Sequence, residues 1–108
     1  MKRQAKNFTT PPADETARHL ASLVRQGRLA RRWTLAELAE RARVGTATLK
    51  RIEKGGVSVS LGVWLSVFES LGMLRLLNAL DDPAAAALLN ETRIKRVRHK
   101  RTAADLDF

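Results

Sequence analysis

The sequence contains no cysteine and no tyrosine, and it has only two tryptophans, three phenylalanines and three prolines. The lack of cysteine excludes disulfides, thiolate metal sites and a cysteine nucleophile, and it suits a reducing, cytoplasmic setting. No apolar run approaches the roughly 18 residues that a membrane span requires. The basic opening MKRQAKNFTTPP carries no apolar stretch of the kind that marks a secretory signal. Histidine is scarce: His19 falls in a helical pattern and His99 in a basic run. With no phosphate-cradling glycine loop and no paired metal-ligand motif either, neither an enzyme nor a cofactor or metal is expected. The shortage of aromatics also removes the stacking platforms of single-strand nucleic-acid readers.

What the chain does have is alanine, leucine and positive charge. Of 108 residues 44% are hydrophobic, enough for one small core, and few β-branched runs interrupt the helix formers. An all-α fold follows. Twenty lysines and arginines against eleven acidic residues leave a net charge of +9. That balance implies a polyanionic partner, with nucleic acid ahead of an anionic membrane, although basic surfaces also serve solubility alone. The basic residues near the C-terminus are not interleaved with enough apolar ones for a membrane-anchoring helix.

Residues 1–12 read as a flexible basic arm. A helix is expected from about Ala13, with Asp14 and Glu15 at its positive end and Ala17, Leu20, Ala21, Val24 and Arg28 on one face. Gly27 is its weak point. Thr34 opens a second helix, and Glu37 three residues on completes a capping box. Leu35, Leu38 and Ala39 form its apolar side, and the pattern stops near Ala42. After a turn at Val44-Gly45, a third helix is expected over residues 46–54, with Leu49 and Ile52 inward and Thr46, Ala47, Lys50 and Arg51 outward. Gly55-Gly56 ends it. Ser60 caps a fourth, whose apolar stripe is Leu61, Trp64, Leu65, Phe68 and Leu71. Residues 73–80 form a short apolar segment, 81–92 a short helix or linker, and 93–108 a basic and then acidic-apolar tail that is expected to be disordered when free.

Two short helices joined by a tight turn within about 20 residues make a helix-turn-helix. Alone, helices of two turns are marginal in water. The gain is that the first can prop the second away from the core, so that its N-terminal side chains reach base edges in a major groove.

The stretch from Arg28 to Met73 resembles the Cro/C1-type (XRE) helix-turn-helix family. The resemblance rests on Arg28, Trp33, Thr34, Leu38, Ala39, Val44, Leu49, Ile52, Glu53, Gly55, Leu61, Leu65, Phe68, Leu71 and Gly72. It implies a five-helix, lambda repressor-like domain over residues 13–80 that binds double-stranded DNA as a homodimer on twofold sites. By position it gives base contacts to Thr46, Ala47, Lys50 and Arg51, and phosphate contacts to Thr34, Arg43, Thr48 and Lys54. Arg51 can fork onto guanine, and Lys50 suits a phosphate as well. The resemblance also pairs Arg28 with Glu53, locking the third helix against the first. Three departures stand out: Leu35 replaces a glutamine, Arg43 a turn glycine, and Gly45 a serine cap. Arg43 is strained if that turn needs a positive φ.

Leu74, Leu76, Leu77 and Leu80 either finish the core or, as the favoured expectation, form the dimer interface. The tail can be a solvated run, a second DNA arm, or a segment that folds on a protein partner. In size and layout the chain is similar to HipB-like antitoxins, which repress their own operon and bind a HipA-like kinase toxin. A stand-alone or phage-type regulator without a toxin is the alternative. The resulting expectation is a repressor that occludes a promoter, with basic arms adding salt-sensitive affinity.

Overall fold

The computed structural model describes the backbone of residues 8–106 and the side chains of residues 8–97. Among the described residues there are six helices and no strand: α1 (Pro11–Ala30), α2 (Leu35–Ala42), α3 (Thr46–Glu53), α4 (Leu61–Ser70), α5 (Leu74–Asn78) and α6 (Pro83–Leu106). The all-α expectation holds, with one helix more than the five anticipated. Most of the arm expected at residues 1–12 lies outside the described residues.

α1 begins two residues before its expected start. Thr10 is extended, and its hydroxyl accepts the Ala13 N–H at 3.4 Å. Pro11 and Pro12 lack N–H groups that the first turn would leave unpaired anyway, and their fixed φ already suits a helix. Gly27 does not interrupt α1. At α2 the capping box is formed: Glu37 N–H donates to Thr34 Oγ1 at 3.0 Å, and Thr34 N–H to Glu37 Oε1 at 3.3 Å. Gly45 precedes α3 without any side-chain cap.

α1 packs on α3, and α2 packs on both α3 and α4. The core they share comprises Ala21, Val24, Leu38, Ala39, Ala42, Leu49, Ile52, Trp64, Val67, Phe68 and Leu71. Burial of each large aliphatic side chain here contributes about 1.5–3 kcal/mol. Trp64 and Phe68 stack with ring centroids 6.3 Å apart. The Trp64 indole N–H donates to the Gly56 carbonyl at 3.1 Å, which ties the α3–α4 loop to the core. Gly55 sits at φ +89°. At Gly56 a Cβ would lie 2.8 Å from the Arg51 carbonyl oxygen, so the loop can turn back on α3 only without a side chain there.

α4 is rotated from its expected orientation. Trp64, Val67, Phe68 and Leu71 face the core, whereas Leu61 and Leu65 are 72% and 37% exposed. The helix is apolar on two sides, so periodicity alone left its inward face open, and contact with α2 decided it. Leu61 and Leu65 instead border an open apolar groove with Ala17, Leu20, Trp64, Phe68 and Leu77.

The four leucines expected at a dimer interface are split. Leu74 and Leu77 are partly buried against the core, while Leu76 and Leu80 are 50% and 77% exposed. α5 is a single short turn and can direct only one of its sides inward.

The chain divides after Leu77 into two compact units. The second contains α6, where the sequence predicts a short helix or linker over residues 81–92 and a tail from residue 93 that is disordered when free. The structure instead carries one helix through both segments. Asp82 Oδ1 accepts the Ala84 N–H at 3.1 Å at its start, and four consecutive alanines then favour helix.

Candidate nucleic-acid interface

α3 is held from beneath and at its end. Leu49 and Ile52 are completely buried. Arg28 Nε donates to Glu53 Oε2 at 2.9 Å and Arg28 Nη2 to Glu53 Oε1 at 3.1 Å, a two-point contact between the end of α1 and the last residue of α3. The third guanidinium nitrogen, Nη1, donates to the Trp33 carbonyl at 3.0 Å. One side chain therefore joins α1, α3 and the loop that enters α2. With side-chain exposures of 11% and 9% the pair is largely shielded from water.

This anchoring fixes what α3 shows to solvent. Thr46, Ala47, Lys50 and Arg51 are all exposed, and so is Lys54 just after the helix. At 3.6 residues per turn these five positions fall within an arc of about 140°. That arc lies opposite Leu49 and Ile52. It carries three cations, two short side chains and no carboxylate. Such a surface can offer forked donors to guanine, methyl contacts to thymine and charge to phosphates.

The residues expected at phosphates are placed less uniformly. Thr48 is half-buried. Thr34 is exposed, but its N–H is taken by Glu37, and its hydroxyl already accepts from the backbone. Only the hydroxyl hydrogen remains to donate. Arg43 is exposed and left-handed, at φ 59° and ψ 39°. Its N–H donates to the Glu40 carbonyl at 3.1 Å, and the Val44 N–H to Ala39 at 3.0 Å, which closes α2 before α3 begins.

Three further arginines were not singled out from the sequence. Arg31 donates to the carbonyls of Gly27 and Leu71, fastening the end of α1 to the end of α4. The Arg41 guanidinium lies 4.2 Å from the Trp33 ring centre, and Arg31 approaches the same ring at 5.9 Å. Arg32 is exposed, with φ 57°. The doubled arginine before Trp33 was the available signal, but spacing says nothing of carbonyl partners.

A helix-turn-helix domain family model matches residues 19–88, well over half of the chain. The chain belongs to the Cro/C1-type helix-turn-helix family. No curated protein and no solved structure matches it. As a helix-turn-helix domain, the matched region is a DNA-binding element of transcription regulation. The matched range takes in all of the exposed arc on α3 and ends within α6. Among the described residues no helix is long and apolar enough to cross a membrane.

Proposed function

We propose that this helix-turn-helix protein is a sequence-specific transcriptional repressor. It binds a twofold operator as a homodimer, in the cytoplasm, and controls its own promoter. α3 enters the major groove of each half-site, with Thr46, Ala47, Lys50 and Arg51 at base edges. Arg43, Thr48, Lys54 and the Thr34 hydroxyl meet the flanking phosphates. Occupancy of the operator excludes polymerase. The single observation that supports this reading is the exposed arc of α3, cationic and without carboxylates, on a helix fixed by Leu49, Ile52 and the Arg28–Glu53 pair.

Fluorescence anisotropy with DNA from upstream of its own gene, against a scrambled duplex and across a salt series, tests it. A preference for the upstream duplex that persists at physiological salt is expected. Arg51→Ala should cost about 1–3 kcal/mol on the operator and little on the scrambled duplex. Equal loss on both would reduce Arg51 to a phosphate contact.

A second, finer reading makes the protein the antitoxin of a HipA-like kinase. It rests on the similarity of the chain in size and layout to HipB-like antitoxins. Co-expression with a kinase-like neighbouring gene product should then yield a complex that retains operator binding. Separate elution of the two proteins would leave a repressor without a toxin.

A further inference from the structure

α6 is the element that the reading of α3 leaves without a role. Arg93, Lys95 and Arg96 are exposed on it, and so are Leu88, Leu89, Ile94 and Val97. Around the helix the four apolar residues stand at about 0°, 100°, 240° and 180°, counting Leu88 as zero at 3.6 residues per turn. They share no face. A helix that lies on a membrane or in an apolar groove of a protein needs such a stripe. The three cations stand at about 140°, 340° and 80° on the same scale, within one arc of about 160°.

The sequence continues Arg98-His99-Lys100-Arg101, giving six lysines and arginines in nine residues without one carboxylate. The backbone is helical throughout, which puts positions 98, 100 and 101 at about 280°, 120° and 220°, so the six basic positions together are spread around the circumference. Like charges three or four residues apart weaken a helix. Arg93 and Arg96, Lys95 and Arg98, and Arg96 and Lys100 all have that spacing. The basic half of α6 therefore opposes its own helix until its charge is neutralised, whereas the alanine-rich first half does not.

We propose that α6 is a second DNA-binding element, which grips duplex phosphates regardless of sequence. A flat acidic surface would satisfy one side of such a helix. A major groove, about 12 Å wide, accepts a helix and places phosphates along both of its flanks. That is the surrounding to which cations on every side are complementary. The proposal extends the function of the chain beyond α3 and does not depend on it, because it is tested where α3 has nothing to read.

The experiment uses the full chain and a full-length variant with Arg93, Lys95, Arg96, Arg98, Lys100 and Arg101 all changed to Gln, which retains helix propensity. Affinity for a random-sequence duplex is measured by anisotropy over a salt series. Far-ultraviolet circular dichroism of each protein alone checks that the variant keeps its helices. The plot of log affinity against log salt should become shallower by about 5 in the variant, since each neutralised phosphate contributes about 0.9. A change in slope below about 2 would overturn the proposal. Binding of the parent to phosphatidylserine vesicles as tightly as to duplex at equal salt would overturn it in favour of a membrane. The slope on a random duplex is read separately from operator preference, so failure here is distinct from failure of operator reading.

Discussion

Arg32 and Arg43 are the only non-glycine residues with positive φ among those described. A left-handed backbone costs an L side chain roughly 1–2 kcal/mol, because Cβ crowds the following carbonyl oxygen. Glycine escapes that penalty but gives up more freedom on folding. Arg43→Gly should therefore raise the unfolding free energy by about 0.5–1 kcal/mol, read as a shift in urea midpoint without a change in its slope. If Arg43 meets a phosphate, the same variant binds DNA with a salt slope shallower by about 1. Stability and binding then move in opposite directions. An unchanged salt slope would remove Arg43 from the phosphate contacts. Arg43 was legible in advance because the family pattern has a glycine at that place. Arg32 was not, since Arg31-Arg32-Trp33 contains no residue that marks a turn.

At the scale of elements, α3 depends on α1 more than on its own sequence. It has eight residues and a glycine at its entry with no side-chain cap. Buried Leu49 and Ile52, and the grip of Arg28 on Glu53, supply what local propensity does not. Arg28→Ala would strand Glu53, a largely shielded carboxylate, and release the Trp33 carbonyl at once. Removing one partner of a buried pair typically costs about 3–5 kcal/mol, while the intact pair contributes far less because desolvation offsets its attraction. Chemical denaturation should show a loss of about 3 kcal/mol, and Arg28→Lys should recover only part of it, because an ammonium cannot make the two-point contact. A loss under about 1 kcal/mol would mean that the pair is solvated in solution. The pairing of Arg28 with Glu53 was readable from the resemblance. The carbonyl partners of Arg28, Arg31 and Trp64 were not, because a carbonyl carries no sequence signal. The rotation of α4 was hidden for another reason: Leu61 and Leu65 satisfy helical periodicity as well as Val67 does.

For the molecule as a whole, the proposed twofold operator calls for a second copy of the chain. A single α3 covers one half-site, and twofold operators need two. Leu77 packs on the core while Leu76, its neighbour on α5, is half-exposed. These adjacent leucines separate folding from assembly. Leu76→Asp should leave the monomer folded and weaken the dimer, because an interface would have to desolvate a carboxylate without a partner. Two symmetry-related aspartates make a change of about 2–3 kcal/mol reasonable, or roughly 30–150-fold in dimer dissociation. Sedimentation measures that shift directly, and operator affinity should fall with it. Leu77→Asp should unfold the domain instead, seen as loss of its cooperative thermal transition. A Leu76→Asp protein that remains dimeric would move the interface away from α5. The exposed Leu61 and Leu65 beside the apolar groove would then be the next surface to charge, and the twofold model of operator binding would have to be rebuilt from that face.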